Sequence, residues 1–135
     1  MEIIYQDKFV CTSYDASSSV LLDVWTSESQ NMSVEEFKKF MYVWRDTMQL
    51  HNIKYAPTDT LNFKVALTPE LQFWIVENIT APTAKNFAFQ KQAFIMPIEF
   101  FANLSIEQFA EESNAGATKT RYFSDMTSAR KWLLE

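Results

Sequence analysis

A small number of side chains in this sequence could take part in chemistry, and each also has a structural explanation. His51 follows an amphipathic segment, where it could act as a general base or could close a helix whose end carries partial negative charge. Cys11 alternates with Phe9 along a predicted strand, a pattern that favours a small buried side chain over a nucleophilic thiolate. We therefore predict structural roles for both residues and no catalytic residue.

Carboxylate pairs and metal ligands are also poorly supported by their spacing. Glu35 and Glu36 are adjacent, as are Glu111 and Glu112, and adjacent residues of a helix point about 100° apart. Neither pair can direct its two carboxylates at one site. One histidine and one cysteine do not complete a zinc site, and a single glycine excludes the glycine-rich loops that bind phosphates. The sequence predicts no metal and no cofactor.

Three polar residues that follow a predicted strand form the candidate binding site. Asp59, Thr60 and Asn62 come at the end of this strand, and ligands of open α/β sheets bind beyond the carboxyl ends of the parallel strands. The alternative is a turn, because Asp, Thr and Asn side chains readily hydrogen-bond the local backbone. Both interpretations place the three residues in one loop.

Composition indicates a single domain and narrows the choice of partners. With 135 residues, 47% hydrophobic and 16% aromatic, the chain is expected to fold as one domain over residues 1–135. Its formal net charge of −5 argues against a nucleic-acid partner. No segment is apolar over the ~20 residues of a membrane span, and the start does not resemble a signal peptide. We expect a cytoplasmic location.

Hydrophobic periodicity predicts the elements that position these residues. Alternating segments over 9–14 and 20–25 predict a hairpin, and Ser33 and Glu36 form a capping box before a helix that reaches Leu50. The later elements are an irregular strand over 53–59, a helix over 69–80 before Pro82, a strand over 87–96, a helix from Pro97 that restarts at Ser105, a strand over 118–123 and a C-terminal helix. The order β-β-α-β-α-β-α-β-α, with a further short edge strand at 3–5, predicts an α/β fold. Its mixed, mostly parallel sheet begins with an antiparallel hairpin.

Several local strings resemble the bacterial SpoIIAA-like proteins, relatives of the STAS (anti-sigma-factor antagonist) and CRAL-TRIO lipid-carrier superfamily. They are Asp59-Thr60-Leu61-Asn62-Phe63, Thr68-Pro69-Glu70-Leu71-Gln72-Phe73-Trp74, Ala93-Phe94-Ile95-Met96-Pro97, Phe100-Phe101-Ala102-Asn103-Leu104-Ser105-Ile106-Glu107-Gln108, Arg121-Tyr122-Phe123 and Trp132-Leu133. The resemblance implies a STAS-like fold and a regulatory role exerted through contacts with other proteins.

The same resemblance places Asp59 and Thr60 at the loop where STAS regulators carry a phosphorylated Ser or Thr. In those regulators a glycine follows closely and the next helix begins almost at once. Here the next residues contain no glycine, and eight residues separate Thr60 from Pro69. We therefore predict that Thr60 is not a constitutive phosphorylation site.

The predicted second helix is apolar on two sides. Four of its apolar residues fall within one arc of about 140°, the side expected to cover the sheet: Leu71, Trp74, Ile75 and Ile79. Phe73 and Val76 fall outside that arc. A second apolar side is normally covered by a neighbouring helix of the same chain, a second copy or another partner. Phe73 and Val76 are therefore the candidate interface residues.

Three hypotheses for function follow from these patterns. The first is a non-enzymatic, STAS-like module that acts through protein–protein contacts, with another protein or in a homodimer. The second is a carrier or sensor of a small apolar ligand, because four Trp and twelve Phe could line a pocket as readily as a core. The third is an enzyme of unrecognised type that uses Asp59, Thr60 or His51.

Overall fold

A mixed sheet of six strands forms the centre of the computed structural model, which describes residues 1–86, 88–98 and 118–135. Their order in the sheet is also their order in the chain: β1 (Glu2–Gln6), β2 (Val10–Asp15), β3 (Val20–Trp25), β4 (Tyr55–Asp59), β5 (Lys91–Ile95) and β6 (Lys119–Phe123). β1, β2 and β3 pair antiparallel, whereas β3 to β6 pair parallel. The predicted α/β class, with an antiparallel start followed by parallel strands, is confirmed.

The described helices occupy the crossovers between the parallel strands and the C-terminal segment. They are a 3-10 helix (Ser27–Asn31), α1 (Val34–Leu50), α2 (Pro69–Ile75), a π-helical turn (Val76–Thr80), α3 (Ala81–Asn86) and α4 (Met126–Leu133). The predicted helix that starts at Pro97 and restarts at Ser105 lies largely outside the described residues. β5 is shorter than the predicted strand over 87–96.

Local side-chain bonds explain where the helices begin. At α1 the predicted capping box is present, because Glu36 N donates to Ser33 Oγ at 3.1 Å and Ser33 N donates to Glu36 Oε1 at 3.0 Å. Thr68 caps α2 by accepting from Leu71 N at 3.2 Å. These bonds satisfy amide groups that have no partner inside a helix, and they set the first residue of each helix.

The elements α2, the π-helical turn and α3 follow one another without a break, and we call them together the second helical segment. This segment continues through Pro82, although the sequence predicts that it ends before this proline. Proline has no amide hydrogen to donate to the carbonyl four residues earlier, which belongs to Asn78. In the structure that carbonyl accepts instead from Arg45 Nη1 at 3.4 Å. The preceding turn is π-helical, with Ala81 N bonded to Val76 O. A donor from α1 thus binds the carbonyl of Asn78, and the predicted helix end before Pro82 was wrong.

Two hydrophobic clusters cover opposite faces of the sheet. The larger cluster joins β2, β3 and β4 to α1 and to the inner side of the second helical segment, with Trp25, Phe40, Leu71 and Ile79 among its buried members. The smaller cluster places α4 over β5, where Ala129 and Leu133 pack on alternate strand residues. Helices α1 and α2 therefore share one face of the sheet, and α4 lies on the other.

Pro57 makes β4 irregular, as predicted. β3 and β4 pair at Val20–Tyr55 and next at Asp23–Thr58, so this ladder, both of whose strands are fully described, is interrupted beside Pro57. The cause is that proline cannot donate to a ladder. On its other side β4 pairs continuously with β5, and there Pro57 lies opposite Ala93.

Candidate functional site

The predicted binding residues Asp59 and Thr60 lie at the carboxyl end of β4, where both make hydrogen bonds within the fold. Asp59 Oδ1 accepts from Leu61 N at 3.0 Å, which forms a turn. Thr60 donates twice to the carbonyl of Ile95 in β5, from its amide at 2.9 Å and from its hydroxyl at 2.7 Å. Their side chains therefore fasten the loop to the neighbouring strand, as the turn interpretation describes.

Asn62 lies in the same loop but its side chain points to solvent. Its carbonyl accepts from the hydroxyl of Ser29 at 3.4 Å, and Lys64 N donates to that hydroxyl oxygen at 2.8 Å. Phe63, which lies between Asn62 and Lys64 in the sequence, packs edge-on against Trp25, with ring centroids 4.8 Å apart. The long loop between β4 and α2 thus allows Phe63 to pack against the core. Of the three predicted binding residues, Asp59 and Thr60 lie together at the end of β4, and the side chain of Asn62 points away from them to solvent.

His51 occupies the helix-closing position that the sequence favoured, whereas Cys11, which was predicted to be buried, is only half-buried. His51 caps the carboxyl end of α1, and its ring lies 4.4 Å from the ring of Tyr14. Cys11 is a half-buried free cysteine in β2. Within the described ranges, no group of three or more His, Cys, Asp or Glu side chains is arranged to hold a metal ion.

One polar cluster, centred on Asp23, is not among the predicted site residues. This side chain is 2% exposed, and Thr12 Oγ1 donates to its Oδ1 at 2.6 Å. Burial raises the pKa of Asp23 to about 7, while hydrogen bonds from Thr12 and Trp44 act in the opposite direction. Thr58 pairs with Asp23 in the ladder and is itself buried, with no hydrogen-bond partner for its hydroxyl within the described residues.

A signal for Asp23 was present in the sequence. The residue lies between Leu21 and Trp25 in an alternating strand, and all three side chains must therefore point to one face. Because that face is the one that packs on α1, an aspartate there is buried. The alternation that identifies the strand therefore also indicates the face on which its single charged residue lies.

Two of the surface clefts are formed by described residues. One, of about 280 Å³, lies where β6 meets α4 and is lined in part by Tyr122, Asp125 and Ser128. The other, of about 150 Å³, lies between Tyr5, Asp7 and the first turn of α1. In both clefts the carboxylates already accept hydrogen bonds: Asp125 from Ser128 N at 2.8 Å, and Asp7 from Phe9 N at 2.7 Å.

The two predicted interface residues, Phe73 in α2 and Val76 at the start of the π-helical turn, are exposed on the outer side of this helical segment. Phe73 is 63% exposed and Val76 is 53% exposed. Glu70 precedes Phe73 by three residues and Glu77 follows it by four, so both carboxylates flank the phenyl ring on the same side of the helix. We call the surface formed by Glu70, Phe73, Val76 and Glu77 the α2 face.

Aromatic contacts between α1 and α2 fix the orientation of this face. Tyr42 of α1 packs edge-on against Trp74, with ring centroids 5.5 Å apart. Lys38 Nζ lies 5.0 Å from the Trp74 ring centroid, and the Arg45 guanidinium lies 4.7 Å from that of Tyr42. Since Trp74 is held against α1 and Leu71 faces the sheet, Phe73 is left on the solvent side.

Comparison with known proteins does not assign this chain to a family. No family model, curated protein or solved structure matches it. The resemblance to the SpoIIAA-like proteins therefore stays a prediction. Among the helices that the structure describes, none is long and apolar enough to cross a membrane.

Proposed function

We propose that this chain is a non-enzymatic interaction module that binds another protein through the α2 face. The observation that carries the proposal is the exposure of Phe73 beside Val76 on a helix whose opposite side is buried. Single exposed apolar residues are common, but a phenyl ring and an isopropyl group one turn apart form a continuous apolar ridge. Contiguous apolar patches larger than a few hundred Å² mark protein-binding sites, and we place this ridge at the centre of such a patch.

The surroundings of the ridge extend it into a larger surface. A stable interface buries about 800 Å² on each partner, which Phe73 and Val76 alone cannot supply. Tyr42 is exposed on the adjoining side of α1 and Trp74 is half-buried between the two helices. Aromatic side chains are enriched among the residues that dominate binding energy, so this neighbourhood suits the centre of an interface.

The hydrogen bonding at the end of β4 also supports a binding role over a catalytic one. Asp59 and Thr60 were the strongest candidates for chemistry, and both hold the loop to β5 or to its own backbone. The carrier hypothesis stays a prediction, as does the STAS-like family assignment.

The proposal can be tested with one variant and a matched control. Phe73→Glu places a carboxylate at the centre of the α2 face, while Ile3→Glu places one at an equally exposed apolar residue on edge strand β1, where charge is well tolerated. Tagged wild type and Ile3→Glu should retain the same host protein, identified by mass spectrometry, and Phe73→Glu should lose it.

Calorimetry with the purified partner should then show similar affinities for wild type and Ile3→Glu and a much lower affinity for Phe73→Glu. Equal retention by all three chains would contradict the proposal. Light scattering on the purified wild-type chain tests the remaining alternative, a homodimer through the same residues.

A further inference from the structure

We infer, resting on the proposed function, that the α2 face binds a cationic amphipathic helix of its partner. The first argument is shape. Phe73 and Val76 project from a convex helix surface at i and i+3, the spacing at which side-chain ridges pack between the rows of a second helix. A flat or extended partner would meet this ridge at fewer points.

The second argument is charge. Glu70 and Glu77 are exposed on either side of Phe73 along the helix, and neither carboxylate has an ion-pair partner among the described residues. A partner helix with an apolar stripe bordered by Lys or Arg would place its cations opposite these two groups. The formal net charge of −5 favours the approach of a cationic partner over the whole surface.

The cations at the edge of the α2 face do not reverse this preference. Arg45 forms an ion pair with Asp46 at 3.3 Å, and its guanidinium lies against Tyr42. Lys38 lies over the Trp74 ring on the side of α1. Both positive charges are therefore engaged at the α1–α2 contact, whereas the carboxylates beside Phe73 are not.

The same charges disfavour a second copy of the chain as the occupant. Two α2 faces brought together would place Glu70 and Glu77 of both copies in one interface, and each copy carries a net charge of −5. Like charges at an interface cost binding free energy. A cationic amphipathic helix can pack its apolar side chains against Phe73 and Val76 and place its cations beside the carboxylates of Glu70 and Glu77.

The test uses the full chain and a labelled synthetic peptide. The peptide is an amphipathic helix of about five turns, with Leu at i, i+3 and i+7 positions and Lys on both flanks. Two control peptides keep its length: one has the same composition in scrambled order, and the other carries Glu in place of Lys. Binding is followed by fluorescence anisotropy.

Two chain variants separate local charge from net charge. Glu70→Gln with Glu77→Gln removes the carboxylates of the α2 face, and Glu2→Gln with Glu135→Gln removes the same charge from exposed residues elsewhere. We expect the first pair to weaken binding of the cationic peptide by about threefold to tenfold and to reduce its salt dependence. The second pair should change the affinity by less than about twofold, and both control peptides should bind at least about tenfold more weakly.

Other outcomes overturn the inference. Equal binding of the cationic and acidic peptides, or equal effects of the two pairs of Gln substitutions, would show that the carboxylates beside Phe73 do not select the partner. If a host protein depends on Phe73 but its binding is insensitive to salt and to Glu70→Gln with Glu77→Gln, the proposed function stands and this inference fails. A wild-type dimer that Phe73→Glu converts into a folded monomer would also overturn it.

Discussion

Helices α1 and α2 lie side by side on one face of the sheet, but they differ in where an unusual side chain lies. A polar side chain is buried beneath α1, whereas an apolar side chain is exposed on α2. Beneath α1 the core contains a carboxyl group, Asp23, which accepts a hydrogen bond from Thr12. Outside α2 the surface exposes a phenyl ring, Phe73, whose side chain faces solvent. The buried carboxyl group of Asp23 is compensated by a hydrogen bond within the chain. The exposed ring of Phe73 has no comparable cover among the described residues. The residues around α1 serve folding, and contact with another molecule is the role that we propose for Phe73.

The largest expected effect concerns Asp23 and the pH dependence of stability. Its pKa rises from an ordinary value of 3.8 to about 7 on folding, so the folded chain keeps a proton that the unfolded chain releases. The contribution of Asp23 to the free energy of unfolding should therefore be fully present below pH 3.8 and be lost as the pH rises to about 7, a change of about 4 kcal/mol. Asp23→Asn should abolish this change and be more stable than wild type above pH 7.

Urea unfolding followed by tryptophan fluorescence, from pH 4 to about 8, measures this difference. Two exposed carboxyls act in the opposite direction: hydrogen bonds from Ser17 lower the pKa of Asp15, and those from Ser33 lower the pKa of Glu36. Because both are present in wild type and in Asp23→Asn, their effects cancel in the comparison. Identical pH profiles for the two chains would show that Asp23 does not change its protonation on folding.

A smaller effect is expected from the loop that packs against the start of α1. Phe63 is half-buried between Trp25 and Phe37, at ring-centroid distances of 4.8 and 6.3 Å. Phe63→Ala should lower the free energy of unfolding by about 2 kcal/mol, less than for a fully buried phenylalanine. Leu61→Ala in the same loop removes an exposed side chain and should cost less than about 0.5 kcal/mol. Equal costs would mean that Phe63 is not part of the core.

The two helix starts provide a more direct comparison of α1 with α2. Ser33→Ala removes the reciprocal bonds of a capping box and should cost about 1 kcal/mol. Thr68→Ala removes a single bond to Leu71 N and should cost about half as much. Thermal unfolding of both variants tests the order, and a larger loss for Thr68→Ala would reverse the conclusion that α1 contributes more to folding.

The smallest effect on stability is expected at the α2 face itself. Phe73→Glu should change the free energy of unfolding by no more than about 0.5 kcal/mol, because the wild-type side chain is already exposed. Circular dichroism during chemical unfolding is sufficient to measure this. A loss of more than about 2 kcal/mol would place Phe73 in the folding core, and a loss of partner binding could then no longer be attributed to the surface.

The sequence predicted the features that depend on neighbouring residues. The capping box located the start of α1, and helical geometry separated Phe73 from Leu71 on α2. Alternation identified β2 and β3, and the prediction of a parallel sheet followed from the order of the elements. Each of these inferences uses residues fewer than about five positions apart, or the sequence of elements alone.

Features that depend on distant residues could not be predicted in the same way. The cluster at Asp23 needs the register of β2 against β3 and the side of α1 that carries Trp44. The carbonyl of Asn78, which Pro82 cannot bind, accepts from Arg45, which is far away in sequence. Both depend on the packing of α1 against its surroundings, and a local pattern contains no information about it.

The order of the strands has a consequence for how the chain assembles. Every strand of the described sheet lies beside the strand that precedes it in sequence. A nascent chain could therefore pair β2 with β3 as soon as that hairpin leaves the ribosome, and each later strand would find its template already formed. The β2–β3 hairpin closes a short loop and costs little loop-closure entropy, whereas each parallel pair, such as Tyr55 with Lys91, joins residues separated by a whole crossover and is expected to form later. Growth would then proceed from the hairpin towards β6, one crossover at a time.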